Sequence, residues 1–179
     1  AEEVVRTAPC PVCTVRADDE AESPARPERI VIPIDFSEPS RGALMYGLRL
    51  AQQMGATVTV VHAIEEPSVP MAYGLEVGVE TKRSNTVTME SSVQGALAEW
   101  TEQAAGRLDE TPSYDRVVDT GDPATVIRET ASSPRDVVVM ATEGRTGMER
   151  MVLGSVAESV LRKAVGPVVT ARSFAEALA

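Results

Sequence analysis

One stretch of the 179-residue chain combines residue types suited to holding an anion: Ala141-Thr142-Glu143-Gly144-Arg145-Thr146-Gly147, followed a short way on by Gly154-Ser155. Glycines let a backbone approach a ligand closely. If a helix opens at Ser155, its first N–H groups lack internal partners and its dipole favours negative charge beside them. Ser155 can cap that helix or donate to a phosphate, and Arg145 and Arg150 bring positive charge to the segment. Two readings fit these residues alone. One is a phosphate site; the other is a surface turn shaped by Gly144 and Gly147, with Ser155 acting only as a cap. The chain has no Gly-Lys pair and no G-x-G-x-x-G, so neither a P-loop nor a dinucleotide fingerprint is present.

Other residues with chemical potential read as structural. His62 is the only histidine and lies inside an apolar run, where a hydrogen-bonded core histidine is expected. Cys10-Pro11-Val12-Cys13 has redox or zinc spacing but supplies only two ligands. No His, Cys and carboxylate cluster has metal spacing, and Met140, Met148 and Met151 are expected to fill core. No base–nucleophile pair is evident, so the sequence offers no catalytic residues, and any turnover of a bound nucleotide is expected to be slow.

The elements that must position the glycine-rich loop follow from periodicity. Arg29–Ile34 is a continuous apolar run, as for a strand buried on both faces. A helix follows, capped by Ser37 or Ser40, with Leu44, Gly47, Leu48 and Ala51 on one face and Gly55 at its end. Thr57–Ile64 is a second strand. Residues 65–90 show no period, contain Pro67, Pro70, Gly74 and Gly78, and read as a long loop. Val93, Leu97, Trp100, Ala104 and Leu108 mark a second helix, and Tyr114–Val118 a third strand. Asp122 caps a third helix with Pro123 at its first position. Asp136–Met140 is the fourth strand; after the glycine loop come a helix over Ser155–Ala164 and a fifth strand at Val168–Ala171. Strands apolar on both faces that alternate with helices demand a parallel sheet covered on both sides. In such sheets ligands sit beyond the C-terminal strand ends, where strand order reverses.

Charge and composition narrow the partners. The formal net charge is -10 and only 3% of residues are aromatic, which excludes a general nucleic-acid surface and a base-stacking platform. No apolar run approaches the ~18 residues that span a bilayer, so no membrane insertion is expected. The acidic start, Ala1-Glu2-Glu3, lacks signal-peptide character, and a cytoplasmic location is the expectation.

The chain also repeats itself. Residues 1–16 (AEEVVRTAPCPVCTVR) match 157–172 (AESVLRKAVGPVVTAR) at nine of sixteen positions. Residues 1–16 therefore read as the closing helix and strand of a preceding copy, residues 17–28 as an acidic linker, 29–172 as a complete domain and 173–179 as a tail. The partner of the cysteine motif, Gly166-Pro167-Val168-Val169, has no cysteine, which argues against thiol chemistry.

Residues 29–172 resemble the universal stress protein family. The resemblance rests on the opening IVIPIDFSEPSRGAL, on Val60-Val61-His62-Ala63, on the turn Gly121-Asp122-Pro123-Ala124, and on a match to G-x2-G-x9-G-[ST] at Ala141, Gly144, Gly154 and Ser155. It implies a five-stranded parallel doubly wound α/β sheet of order 3-2-1-4-5, Rossmann-like and similar to the adenine nucleotide α-hydrolases. It also implies ATP as ligand, with or without Mg²⁺, in a tandem or dimeric protein joined through its fifth strand. Carried over by position, Pro33, Asp35 and Ala63 line the adenine pocket, and Met140 and Ala141 lie near the adenosine. Gly144, Arg145, Gly154, Ser155 and Val156 hold the phosphates. Two positions depart from the family pattern: Ala141 replaces the motif's first glycine, and Glu143 stands where histidine is frequent. The alternative is a module of this fold that dimerises or docks without nucleotide.

Overall fold

The computed structural model describes residues 2–15, 26–65, 79–143 and 153–174, and of residues 79–88 the backbone. In chain order its elements are α1 (Glu2–Thr7), β1 (Val12–Thr14), β2 (Arg29–Pro33), α2 (Glu38–Met54), β3 (Thr57–Ile64), α3 (Val79–Ala105), β4 (Tyr114–Thr120), α4 (Pro123–Thr130), β5 (Asp136–Ala141), α5 (Ser155–Lys163) and β6 (Val168–Ala171). The sheet runs β1-β6-β5-β2-β3-β4. All neighbours are parallel except β1, which lies antiparallel on β6. Without β1, and read from β4, this is the 3-2-1-4-5 order; the sixth strand comes from the N-terminal repeat.

The alternation of side chains along β2 explains the two layers of helix. Ile30 and Ile32 point into a core built with Leu44 and Leu48 of α2 and Leu97 of α3. Val31 points the other way, into a core built with Ile127 of α4 and Val160 of α5. Ile30, Val31 and Ile32 are all fully buried. Only a sheet covered on both faces can bury such a strand.

The helix boundaries have local causes. Ser37, in extended conformation, accepts from Ser40 N and starts α2, while Gly55 at φ 61° ends it in the left-handed region. Asp122 accepts from Thr125 N at 2.9 Å and starts α4 at Pro123. Helix α5 opens at Gly154 with no side-chain cap and closes one residue earlier than expected, with Ala164 as its C-cap. The expected loop over 65–90 needs correction, because α3 already begins at Val79. Glu80-Thr81-Lys82-Arg83-Ser84-Asn85-Thr86 is polar all round, so no apolar stripe marks this part of the helix. Residues 66–78 lie outside the described residues.

At the N-terminal end of the sheet, β2 and β5 are fastened by a charged clamp. Arg29 and Asp136 are register partners. Arg29 Nε and Nη2 donate to the two Asp136 carboxylate oxygens at 3.0 and 2.7 Å. Nη2 also donates to Thr130 O at 2.8 Å, and Ser133 N donates to Asp136 Oδ2 at 3.0 Å. The buried carboxylate thus has partners on both oxygens, as a buried charge requires. Close by, Gly166 is packed on backbone: an added Cβ would run into Asp136 O and meet Pro134 O at 3.1 Å and Ser133 O at 3.2 Å.

The edge of β6 is covered by the N-terminal segment. Val12, Cys13 and Thr14 pair with Thr170, Val169 and Val168. Val5 of α1 is buried, and Arg162 of α5 bonds both Glu2 and Glu158 at 2.9 and 2.8 Å. Both cysteines are free and exposed, and partial burial pushes the Cys13 thiol up, away from the reactive thiolate.

Two outcomes test these contacts. Asp136→Ala, which strands the Arg29 guanidinium and Ser133 N–H, should cost about 3 kcal/mol in urea denaturation, and Asp136→Asn should recover part of it. Deleting residues 1–16 should lower stability by about 2–3 kcal/mol through loss of the Val5 contact and the β1 ladder, or change the oligomeric state by baring the β6 edge. An unchanged melting temperature together with an unchanged sedimentation profile would count against this account of the segment.

Candidate functional site

Strand order reverses at β2: the chain proceeds from β2 to β3 on one side and later returns through β5 on the other. A cleft of about 390 Å³ opens beyond the C-terminal ends of these three strands. Its walls are the β2–α2 turn, the end of β3, the end of β5 with the residues after it, and the first turns of α4 and α5. This is where a doubly wound sheet leaves room for a ligand, because the helices that follow β2 and β5 diverge to opposite faces.

The β2–α2 turn is a chain of short-range bonds. Asp35 Oδ1 accepts from Ser37 N at 3.0 Å and from Ser37 Oγ at 2.6 Å. Ser37 Oγ in turn accepts from Ser40 N at 3.3 Å. Between them Phe36 sits at φ 62°, a left-handed conformation that a bulky side chain rarely adopts. Its ring is held by His62 and Trp100, with centroids 4.8 and 5.3 Å away. One Asp35 oxygen is therefore committed to shaping the turn, and the residue still lines the cleft.

His62 Nδ1 lies 2.6 Å from Ile34 O. The ring is half-buried and lines the cleft, rather than standing wholly inside the core. Its bond to the backbone just beyond β2 makes it a brace between that segment and β3.

The α5 wall holds the donors. Gly154 N donates to Thr142 O at 2.9 Å, and Glu158 N to Gly154 O at 2.9 Å, which leaves the N–H groups of Ser155, Val156 and Ala157 without an intrahelical acceptor. A Cβ on Gly154 would meet Thr142 O at 3.2 Å, so this close approach suits glycine. Thr142 itself is 3% exposed, and among the described residues its Oγ1, like that of Thr170 in β6, has no hydrogen-bond partner. Its backbone is tied on both sides, by Thr142 N to Ala171 O at 3.0 Å and by Gly154 N to Thr142 O. Such an unsatisfied buried hydroxyl is costly.

Of the residues singled out from sequence, Pro33, Asp35, Ala63, Met140, Ala141, Gly154, Ser155 and Val156 all line this one cleft. Gly144 and Arg145 lie outside the described residues, as do Gly147, Met148, Arg150 and Met151. Sequence reasoning missed Ile64, Ile127 and Thr142 as lining residues. Ile64 and Ile127 look like any other core position; a lone threonine after the apolar run Val137–Ala141 was the available signal for Thr142. Three carboxylates, Asp35, Glu65 and Glu143, face the cleft, and among the described lining residues there is no Lys or Arg. Among the described residues no group of three His, Cys, Asp or Glu could hold a metal ion, and no helix is long and apolar enough to cross a membrane.

Comparison with known proteins gives the same frame. Universal stress protein Rv2005c of Mycobacterium tuberculosis is 31% identical over 169 residues, covering 94% of this chain and 54% of the relative. The chain thus spans about half the length of the curated relatives it first matches. The solved universal stress protein UspA from Lactobacillus plantarum superposes with a TM-score of 0.69 at 20% identity, over 83% of this chain and 99% of that one. A universal stress protein solved in complex with cAMP superposes with a TM-score of 0.55 at 17% identity, over 83% of this chain and 99% of its own. The model of the universal stress protein family matches residues 27–172, and the chain belongs to that family.

Proposed function

We propose that the cleft binds an adenine nucleotide, ATP in the first instance, and that the protein acts through the bound state rather than as a fast enzyme. One observation carries this reading: the uncapped first turn of α5, with Gly154, Ser155 and Val156, opens onto the cleft at the reversal of strand order. Pro33 and Ala63 give the base an apolar wall, with Asp35 at its edge. Met140 and Ala141 lie against the adenosine, and the N–H groups and hydroxyl of Ser155 serve the phosphates, with Gly144 and Arg145 completing the phosphate loop. The cAMP-bound relative supports the choice of an adenine ligand. The orphaned Thr142 hydroxyl fits a ligand that brings its own acceptor or donor.

Asp35, Glu65 and Glu143 set a condition on that ligand. A carboxylate about 4 Å from a phosphate repels it by up to about 4 kcal/mol in a partly solvated site. A Mg²⁺-complexed nucleotide reduces this repulsion. The cation would arrive with the phosphates, since the described residues supply no ligand cluster for it. Bound metal and phosphate would supply charge and anchoring; the chain's own residues orient and enclose.

The second reading is a docking module that binds no nucleotide. The pairing of β1 on the β6 edge favours it, because a segment homologous to β6 docks there in antiparallel fashion. In either reading residues 1–16 act as the end of a preceding copy, and β6 is the junction for a tandem or homodimeric partner. Ala141 and Glu143 favour the second reading, and the Gly154-Ser155 turn the first.

Two measurements decide. Denaturing the purified protein should release ATP or ADP, detected by chromatography and mass spectrometry, and a Gly144→Val, Ser155→Ala double variant should release none. Absence of nucleotide, with no thermal shift on adding Mg-ATP, would select the docking module. Thr142→Val should stabilise the ligand-free protein by about 1 kcal/mol in urea denaturation, because it removes an unsatisfied buried hydroxyl. In the nucleotide reading it should also weaken Mg-ATP binding measured by calorimetry.

A further inference from the structure

The positive charge missing from the described walls of the cleft gathers elsewhere. A second groove of about 520 Å³ crosses the outer face of α2, between the end of α3 and the segment that follows β6. Arg41, Arg107 and Arg172 line it, with Glu38 as the single acid among the described lining residues, in a chain whose net charge is -10. Pro39 is half-buried at the groove's rim, and Met45 and Phe174 lie buried beneath it. Phe174 is buried against Tyr46, with ring centroids 4.8 Å apart.

The three arginines differ in how they are held. Arg41 is preorganised: its guanidinium lies 5.3 Å from the Trp100 ring centroid, and Nη2 donates to Gln103 Oε1 at 3.2 Å. Its contact with Glu38 is long, 3.7 Å, and the Glu38 side chain is 84% exposed, so an incoming anion can displace that pair at little cost. Arg107 and Arg172 are exposed and, among the described residues, neither side chain has a hydrogen-bond or ion-pair partner. Several other arginines are matched to acids, Arg29 to Asp136, Arg116 to Glu102, Arg135 to Glu28 and Arg162 to Glu2 and Glu158, whereas Arg128 bonds Ala124 O and Thr125 Oγ1. Among the described residues, the groove thus gathers two guanidiniums without an acid partner and a third held in place by Trp100 and Gln103.

We infer that this groove is a second ligand site, for a soluble anion that carries two or more phosphate groups. Guanidinium forks match phosphate oxygens in bidentate fashion, and a concave cationic surface focuses potential on a multiply charged anion. A single inorganic phosphate would leave most of the groove empty, whereas small-molecule pockets of this size hold larger ligands.

The test uses the whole chain and sodium tripolyphosphate as probe, by isothermal titration at low salt. The groove variant Arg107→Ala, Arg172→Ala alters exposed side chains without structural partners, and an unchanged melting temperature checks its fold. The cleft variant Gly144→Val, Ser155→Ala serves as the comparison. The groove variant should lose a binding event, or weaken it at least about tenfold, that the cleft variant retains. Arg107→Lys, Arg172→Lys should restore only part of the affinity, because a lysine lacks the planar fork. Failure of the parent to bind the probe would overturn the inference, as would binding that the groove variant keeps and the cleft variant loses. The nucleotide reading of the cleft stands or falls separately, on nucleotide release.

Discussion

A strand with no exposed face dictates most of this molecule. Ile30, Val31 and Ile32 have no solvent-exposed surface, so β2 needs a strand on each side and a helical layer on each face. Those four demands place β3 and β5 beside it and separate α2 and α3 from α4 and α5. The same demands create the cleft. The connections leaving β2 and β5 must turn to opposite faces, and the space between them cannot be filled by either. The clamp of Arg29 on Asp136 sets the β2–β5 register at the opposite end of the strands. With its carboxylate buried and its guanidinium partly exposed, the pair ties β2 to β5 at the end of the sheet away from the cleft.

The electrostatic division of the surface bears on how the two openings would work. The cleft presents three carboxylates among its described lining residues, and an anion there would have to rely on backbone N–H groups. Backbone donors cannot be titrated or neutralised by a neighbouring acid, and they hold their positions through the helix they begin. The α2 groove relies on side-chain guanidiniums instead, which are longer, more mobile and more sensitive to salt. Helix α2 connects the two, since Ser40 lines the cleft and Arg41, the next residue, lines the groove.

Much of the fold was legible because its signals are local. The apolar runs at Arg29–Ile34 and Thr57–Ile64, the Ser37 and Asp122 caps and the Gly55 stop each act over a few residues, and the elements begin and end at or near them. The first two turns of α3 were not legible, because the polar run Glu80–Thr86 carries no stripe to read. The site was legible in part. Glycine and serine spacing singled out Gly154 and Ser155, whereas Ile64 and Ile127 reach the cleft only through tertiary placement that no local pattern records. The left-handed Phe36 was invisible for a related reason: nothing in its residue type announces that conformation, which two other rings sustain from β3 and α3.

The pairing of β1 with β6 carries a geometric corollary. By the internal repeat, Val12, Cys13 and Thr14 are the counterparts of Val168, Val169 and Thr170. The ladder sets Val12 opposite Thr170, Cys13 opposite Val169 and Thr14 opposite Val168. Each residue therefore faces the counterpart of its own mirror position, and the central pair faces itself. A local two-fold axis passes between Cys13 and Val169, so the seam is isologous although a single chain supplies both halves. Because one chain encodes the two halves at separate positions, the centre of this seam can pair unlike side chains, Cys13 with Val169, which a dimer of identical strands could not do.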